Sequence, residues 1–357
     1  MRLDILSPAA GRLPPPMVSG LRFPRIVWSL IEPARGVEEL RSLFRWQRPS
    51  GAQRWGNPAT ASNPAHNRGM HSQRRSSSLT SPKATRFSDS ERAALIEAAC
   101  MEYGLTPIED LGAYTSIAVL RCTRTDGQMV ILKFPDPNNP RSTGEHIALE
   151  AWSASGVTPR LFAGTASMVL SEDLGGVPLI AEHRISAAQL HQVGAALAKL
   201  HRHPAPCELQ RLSALLPGMH QKVLSDPDVP VRAKALADAA YRRLMEGQME
   251  DVIVHGDMHW GNSLDTVAGI RIIDPYGWAG DGAYDLAVFA SRLRADHEDA
   301  LRTLCDGYGS RPERMSLWMS WAVVDAFRLA IRYWPDDVAP RRAHLDRALA
   351  ADNGIDL

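Results

Sequence analysis

Hydrophobic positions follow two different periods along this chain, and the change of period predicts two lobes. Short apolar runs typical of strands dominate before residue 176; SIAVLRC (116–122) and QMVILKF (128–134) are two of them, and the TRTDG segment between them predicts a tight hairpin. From residue 186 onward, apolar residues recur mainly at helical spacing, as in SAAQLHQVGAALAKLHRHP. The sequence therefore predicts an α+β fold with a small strand-rich lobe over residues 87–175 and a larger helical lobe over 176–357.

Local signals mark the start of the first lobe and a polar hairpin in the second. Ser88 and Glu91 have the S-x-x-E spacing of a helix capping box, and Gly104 is a stop signal for the same helix. Further along, DVIVHGD (251–257) and GIRIIDP (269–275) are short strand-like runs. We expect these two runs to pair as antiparallel strands, which would bring their polar ends together.

Charge is distributed unevenly along the chain. Residues 1–86 contain 14 Lys and Arg against 4 Asp and Glu, whereas the remainder contains 26 against 36. The first segment is also rich in Pro and Ser. It predicts a disordered basic extension, or a start codon placed too far upstream with Met70 as a candidate later start. The acidic remainder argues against nucleic acid as the main partner and is compatible with a cationic small molecule.

Cysteine usage and hydropathy bear on the compartment. The four cysteines, at positions 100, 122, 207 and 305, are widely separated and form no C-x-x-C pair, which is typical of reduced thiols in a cytoplasmic protein. The chain contains no run of about 18 apolar residues, so the sequence predicts no membrane span. The N-terminal residues also lack the compact apolar segment of a secretory signal, so we expect no such signal. We therefore expect a cytoplasmic protein with no membrane partner.

The stretch VHGDMHWGN (254–262) places two histidines, an aspartate and an asparagine close together in the sequence. If the two short strands pair as predicted, Asp257, Asn262 and Asp274 converge. Asn and Asp oxygens suit Mg²⁺, which leaves room for substrate phosphates, and a further carboxylate can accept a proton from a hydroxyl. The pattern D-x-x-x-x-N followed by an Asp at a strand end matches the division of roles in kinase catalytic loops.

A single lysine in the first lobe is the candidate phosphate ligand. Lys133 is the only lysine between residues 84 and 198, and it lies inside the apolar run QMVILKF. A buried lysine needs a partner charge, which Glu145 on the next predicted helix can provide, with Glu150 as the second choice. The segment LGAYTS (111–116) can turn backbone N–H groups and the Ser116 hydroxyl toward phosphates. A lysine on the surface at a strand end is the alternative.

These residues resemble the aminoglycoside phosphotransferase family of kinase-like enzymes. HGDMHWGN resembles that family's catalytic-loop pattern H-G-D-x-H-x-x-N, and ALAKLHRHP resembles the helix before it. DPYGWAGDGAYDLA and PERMSLWMSWAVVDAF are most similar to the streptomycin 6-phosphotransferase branch, also called aminoglycoside and hydroxyurea resistance kinases. The resemblance covers about residues 88–350. It implies a bilobal protein-kinase-like fold and transfer of the γ-phosphoryl group of ATP, with Mg²⁺, to a hydroxyl of a streptomycin-like aminoglycoside, with antibiotic resistance as the associated role.

The resemblance also implies roles for single residues. Asp257 would be the catalytic base, and Asn262 and Asp274 would bind Mg²⁺. Lys133 would contact the α- and β-phosphates of ATP, and Glu145 would hold the lysine in place.

Further roles are implied around this centre. The SEDL segment (171–174), with Glu172 and Leu174, would bind adenine through its backbone. His255 and His259 would orient the loop instead of binding a metal. Asp285 would cap its helix or brace the loop.

Three other functions remain open. The chain can be a kinase of another small alcohol with the same fold, or a catalytically silent pseudokinase, although all the core positions hold competent residue types. A metallophosphoesterase is the third reading, because Asp257-x-His259 and GDGAYD faintly resemble two of its metal-binding elements. The second element is one residue too long, however, and no G-N-H-D/E element follows.

Overall fold

The computed structural model describes residues 87–112, 116–137, 139, 143–179, 185–247, 251–294 and 297–352. The predicted basic extension over residues 1–86 and part of the LGAYTS segment lie outside these ranges. The strands are β1 (Leu105–Asp110), β2 (Ser116–Arg124), β3 (Met129–Pro135), β4 (Leu161–Thr165), β5 (Met168–Glu172), β6 (Val177–Pro178), β7 (Val252–Val254), β8 (Ser263–Thr266), β9 (Gly269–Ile272) and β10 (Trp278–Gly280). The helices are α1 (Asp89–Tyr103), α2 (Glu145–Ala151), α3 (Ala187–Leu200), α4 (Leu212–Ser225), α5 (Val231–Glu246), α6 (Ala283–Ser291), α7 (His297–Tyr308), α8 (Met315–Tyr333) and α9 (Val338–Asp352).

The first lobe is a five-stranded antiparallel sheet in the order β1-β2-β3-β5-β4, with α1 packed against β1 and β2. Helix α1 begins at the predicted capping box, in which Ser88 and Glu91 each accept the other's backbone N–H, and it ends at Gly104 in the left-handed conformation. β2 and β3 form the predicted hairpin around Gly127, which has a φ of 82°. Both of these sequence predictions are confirmed. β1 escaped prediction because five of its six residues are exposed, and LTPIED has neither an apolar run nor a regular alternation of apolar and polar residues.

The second lobe packs helices α3 to α9 around an apolar core that also takes in Ala148 of α2 and Trp152 just after it. In α3, Leu190, Val193, Leu197 and Leu200 are all buried, as their helical spacing predicts. Among the described residues, no helix is long and apolar enough to cross a membrane. Together the two cores give the α+β, bilobal arrangement that the sequence predicts.

The pairing of the short strands in the second lobe differs from our expectation. β7 pairs antiparallel with β10, so that Val254 lies opposite Trp278. β9 pairs instead with β8 in a tight hairpin between Ser263 and Ile272. The prediction that runs 251–257 and 269–275 pair with each other was therefore wrong. The pattern of apolar residues indicates that a segment is a strand, but it carries no information on which neighbour a short strand chooses.

Two close approaches join the lobes. After β5 the chain passes through residues 173–176 to β6, which pairs with β8 of the second lobe. Two backbone segments also lie in direct contact: Gly144, just before α2, packs against Gly277, just before β10. A methyl group added at Gly144 would overlap the carbonyl oxygen of Gly277, and one added at Gly277 would overlap that of Gly144. Only glycine at both positions allows this contact.

We predict that Gly144→Ala destabilises the protein because its methyl group would push the two backbone segments apart. Forced overpacking of this kind costs about 1–3 kcal/mol, and more where backbone must move. The matched control is Gly218→Ala in α4, where an added methyl group meets no atom within 4 Å. Ala is favoured over Gly within a helix by about 0.8–1 kcal/mol, so the control should be neutral or stabilising. Urea unfolding of both variants makes the comparison; equal midpoints would contradict the contact.

Candidate active site

The loop that carries Asp257 follows β7 and turns sharply at Gly256. This glycine has a φ of 87°, and a side chain there would collide with the ring of Trp278. After the turn, the chain forms a short 3-10 helix from Trp260 to Asn262 and then enters β8. The loop is therefore fixed at both ends by strands, and its tight turn depends on glycine.

Asp285, in the first turn of α6, braces this loop. Its side chain is fully buried, and its two oxygens accept hydrogen bonds from the backbone N–H groups of His255 (2.6 Å) and Gly256 (3.0 Å). His201 Nε2 lies 3.0 Å from the same carboxylate. The residue before the helix is Gly282, and the N–H of Ala283 at the helix start donates to Asp281 Oδ1 at 2.9 Å, not to Asp285. Of the two roles considered for Asp285, the structure therefore shows the loop brace and not the helix cap.

The two loop histidines bond to backbone atoms of the loop and its surroundings. His255 Nε2 lies 2.8 Å from Ile273 O, and its Nδ1 accepts the backbone N–H of Asp257 at 3.2 Å. His259 Nδ1 accepts the N–H of Gly261 at 2.9 Å, and burial lowers the pKa of His259 to about 4. Both rings are thus engaged in holding the loop. In the described part of the chain, no cluster of three His, Cys, Asp or Glu side chains can hold a metal ion.

Asp257 pairs with a residue that sequence reasoning did not single out. Arg292 Nη1 lies 2.7 Å from Asp257 Oδ1, and about a quarter of the Asp257 side chain remains exposed, 26% by area. Burial would raise the pKa of Asp257, but the charge and hydrogen bond of Arg292, together with the nearby His259 and His255, outweigh it, and the pKa lies below its usual value. Asp257 is therefore a carboxylate at neutral pH. An arginine at the end of an otherwise apolar helix, AYDLAVFASR, was the available signal.

Asp257, Asn262 and Asp274 converge even though their strands do not pair as predicted. Asn262 Nδ2 donates to Asp257 O at 3.0 Å, and Asn262 O accepts the N–H of Ile273 at 3.0 Å. That bond places the next residue, Asp274, beside the loop. Asp274 has a φ of 60° and is the one non-glycine residue with positive φ in the described ranges. Such backbone strain is typical of functional positions.

Lys133 lies between two carboxylates, one from each lobe. Its Nζ is 2.7 Å from Glu145 Oε2 on α2 and also contacts Asp274 Oδ1. Burial would lower the pKa of Lys133, but the charges of Asp274 and Glu145 overcome this and raise it, so the lysine stays protonated. Burial raises the pKa of Glu145 to about 7, despite the nearby ammonium group. The structure thus places Lys133 inside its strand and pairs it with Glu145, not Glu150.

The donor set around Asn262 and Asp274 fits a magnesium ion. The amide nitrogen of Asn262 is bonded to Asp257 O, so the side-chain oxygen is the atom left to face a cation. Asp274 engages Lys133 through Oδ1, and 47% of its side chain is exposed. One amide oxygen and one carboxylate are the few hard ligands that Mg²⁺ takes from a protein when phosphates supply the rest.

The remaining predicted ligands lie in the sheet of the first lobe and in the connection between the lobes. Ser116 begins β2 opposite Pro135, two residues beyond Lys133 on the neighbouring strand. Glu172 is the last residue of β5, and its side chain accepts the backbone N–H of Arg160 at 3.2 Å. Leu174 follows in the connection between the lobes. No hydrogen bond joins these three residues to Lys133 or Asp257 in the described structure, so their roles stay predictions.

The fold and the paired charges define a kinase-like protein, and comparison with known families agrees. The profile of the phosphotransferase enzyme family (APH) matches residues 115–318, which is more than half of the chain. The chain belongs to this family. A search of curated proteins finds no match.

Solved structures of small-molecule kinases share this fold. A choline/ethanolamine kinase family protein from Mesorhizobium loti is similar with a TM-score of 0.53 and 21% identity over 74% of this chain and 93% of that one. Choline kinase LicA from Streptococcus pneumoniae has a TM-score of 0.51 and 14% identity, with coverages of 72% and 98%. A thermostable mutant of aminoglycoside phosphotransferase APH(4)-Ia has a TM-score of 0.51 and 16% identity, with coverages of 72% and 99%. At these identities the likeness shows the fold alone.

We predict that Asp285→Ala destabilises the protein by about 3 kcal/mol or more, because two backbone N–H groups and His201 lose a buried acceptor. Asp346→Ala is the matched control: this aspartate pairs with Arg342 on the surface, where both side chains are more than half exposed. Its loss should change stability by less than about 1 kcal/mol. Denaturant unfolding measures both. A small effect of Asp285→Ala would mean that the loop is held by other contacts.

Proposed function

We propose that this protein is an ATP-dependent small-molecule kinase that transfers the γ-phosphoryl group of ATP to a hydroxyl of a cationic, aminoglycoside-type acceptor. One observation carries the proposal. The Lys133 ammonium group, the Asp274 and Asn262 oxygens and the Asp257 carboxylate converge where the two lobes meet. A phosphoryl-transfer site requires three kinds of group close together: a ligand for the phosphates, ligands for the metal, and a group that accepts the proton of the substrate hydroxyl.

In this proposal Asp257 binds and orients the acceptor hydroxyl. Its Oδ1 is occupied by Arg292, so Oδ2 is the atom that accepts the hydroxyl proton. The depressed pKa of Asp257 keeps it ionised and therefore able to accept this hydrogen bond. A carboxylate held in this way acts largely through position, which can contribute several powers of ten in rate.

The Lys133 ammonium group offsets the negative charge of the ATP phosphates. Its contact with Asp274 means that lysine and metal ligand approach the phosphates from adjacent positions. A Mg²⁺ ion held by Asn262 and Asp274 would neutralise charge on the transferring group. We further propose that Ser116 contacts the phosphates, and that the backbone at Glu172 and Leu174 receives adenine where the chain crosses between the lobes.

The cationic nature of the acceptor is supported by charge. Residues 87–357 carry an excess of acidic side chains, and a net negative charge favours the approach of cations. Streptomycin-like aminoglycosides are the class that the sequence resemblance favours. A quaternary or primary amino alcohol is the second candidate, because two of the proteins with similar folds are a choline/ethanolamine kinase family protein and a choline kinase. Both classes are cations with a free hydroxyl.

Free cysteines support a cytoplasmic location for this activity. All four cysteines are unpaired, and burial raises the pKa values of Cys100, Cys122 and Cys305. High-pKa thiols are poorly reactive, and they suit a reducing compartment.

We predict that Mg·ATP turnover will be detected against a panel containing streptomycin, other aminoglycosides, choline and ethanolamine, with the aminoglycosides preferred. A coupled assay of ADP release measures it, and increased streptomycin tolerance of expressing cells provides a second readout. Asp257→Asn should bind ATP normally but lower kcat by on the order of 10²-fold or more, because the asparagine amide cannot accept the proton. Preference for choline would support the second candidate. Silence across the panel would indicate a pseudokinase.

We predict that Lys133→Met weakens use of ATP by about 10- to 100-fold in kcat/KM, as expected for the loss of one charge-assisted phosphate contact. Methionine preserves the length of the side chain within the apolar strand. Lys199→Met, on the exposed face of α3, is the control and should leave kinetics unchanged. Steady-state kinetics at varied ATP test the pair. Unaltered ATP kinetics in Lys133→Met would remove this lysine from the phosphate site.

A further inference from the structure

Arg292 is an almost fully enclosed cation whose guanidinium group meets the carboxylate of Asp257. It is the first residue after α6, only 14% of its side chain is exposed, and Nη1 lies 2.7 Å from Asp257 Oδ1. Burying a guanidinium group is costly unless a carboxylate compensates it. Burial would lower the pKa of Arg292, yet the charge and hydrogen bond of Asp257, with smaller contributions from Tyr284 and Asp325, more than offset this and raise it. The pair is therefore fully ionised.

The backbone of Asp257 is held independently of Arg292. Its N–H donates to His255 Nδ1 at 3.2 Å, and its carbonyl oxygen accepts from Asn262 Nδ2 at 3.0 Å. What these bonds leave free is rotation of the side chain about its two torsions. His259 Nε2 is 3.8 Å from Oδ2, which is too far for a hydrogen bond. Arg292 is thus the side chain that fixes the direction of the carboxylate.

Arg292 is itself anchored from the last helix. Arg341 of α9 is buried and donates to the backbone carbonyl oxygens of Arg292 and Leu293 at the end of α6. Burial lowers the pKa of Arg341 to about 10, so it remains charged at neutral pH. Asp337 accepts a 2.6 Å bond from Arg294 and lies 3.6 Å from Arg341. A cation on a helix C-terminus also interacts favourably with its exposed carbonyl groups.

Two other groups face Arg292 without replacing Asp257. Asp325 of α8 and Tyr284 of α6 both add to its electrostatic environment. Asp325 is paired with Arg328 at 2.7 Å. Among the described acidic side chains, Asp257 is the one that forms a hydrogen bond with the Arg292 guanidinium group.

We propose that Arg292 is a positioning residue of the phosphoryl-transfer site: it holds Oδ1 of Asp257 so that Oδ2 is presented to the acceptor hydroxyl. This inference rests on the proposed function, because it assigns Asp257 the acceptor-binding role. Arg292 does not touch the reacting atoms. Its effect is exerted through the orientation of Asp257, so its loss should lower kcat and leave the KM for ATP nearly unchanged.

The first test is kinetic and uses full-length Arg292→Ala with the best acceptor of the wild-type enzyme. We predict a fall in kcat on the order of 10- to 100-fold, typical for misplacement of a catalytic group. The kcat of Arg292→Lys, which retains a charge but not the planar guanidinium group, should lie between those of the wild type and Arg292→Ala. The control is Arg294→Ala: this arginine belongs to the same network but bonds to Asp337 and not to Asp257. It should keep near-normal kcat.

The second test separates positioning from a purely structural role. Free guanidinium ion, added at concentrations that do not denature the wild type, should restore part of the lost kcat in Arg292→Ala by occupying the vacated space beside Asp257. It should not rescue Asp257→Asn, which lacks the carboxylate. Thermal unfolding of every variant is measured alongside. If Arg292→Ala does not fold, Arg292→Lys and Arg292→Gln provide the kcat comparison.

The outcomes distinguish this inference from the proposed function. A kcat within twofold of wild type in Arg292→Ala would overturn the positioning role while leaving the kinase assignment intact. Equal losses in Arg292→Ala and Arg294→Ala, without guanidinium rescue, would likewise reduce Arg292 to a structural ion pair. A wild-type enzyme that is silent with every acceptor would overturn the proposed function, and the positioning role with it.

Discussion

The buried ammonium group of Lys133 is the constraint on which the two lobes depend. A lysine inside an apolar strand is unfavourable unless carboxylates reach it, and here one comes from each lobe, Glu145 on α2 and Asp274 after β9. For both to arrive, the backbones at Gly144 and Gly277 must meet with no side chain between them. The ion pairs of Lys133 and the contact between the two glycines therefore favour the same arrangement of the lobes. The charge of Lys133 requires that Glu145 and Asp274 lie close together, and the two glycines allow their backbone segments to approach.

A similar balance of charges operates in the loop that carries Asp257. Asp285 is buried among backbone N–H groups, and Asp257 is paired with Arg292 while one of its oxygens stays accessible. The first carboxylate is saturated with partners and shapes the loop, whereas the second keeps a free acceptor. The different environments of the two aspartates are thus decided by the number of donors around each, since the residue type is the same.

The family and the fold define the transfer chemistry more closely than the acceptor. A choline kinase and an aminoglycoside phosphotransferase superpose on this chain with the same TM-score, 0.51. One fold can serve different acceptors, because substrate choice lies in the side chains around the site. The positive φ of Asp274 lies within the residues that the family profile matches, and such backbone strain is typical of functional positions.

The sequence by itself determined the features that depend on local spacing: the capping box of α1, the β2–β3 hairpin, the buried stripe of α3, and the candidate set Lys133, Glu145, Asp257, Asn262 and Asp274. Their signals lie within a few residues of each other or in a recognisable loop pattern. Tertiary structure alone decided the partners. Strand β7 pairs with β10 and not with β9, Asp285 accepts hydrogen bonds from the loop backbone, and Arg292 at the end of α6 bonds to Asp257. These contacts join residues that are distant in the chain, and no periodicity encodes which distant segment arrives, because that choice follows from how whole elements pack.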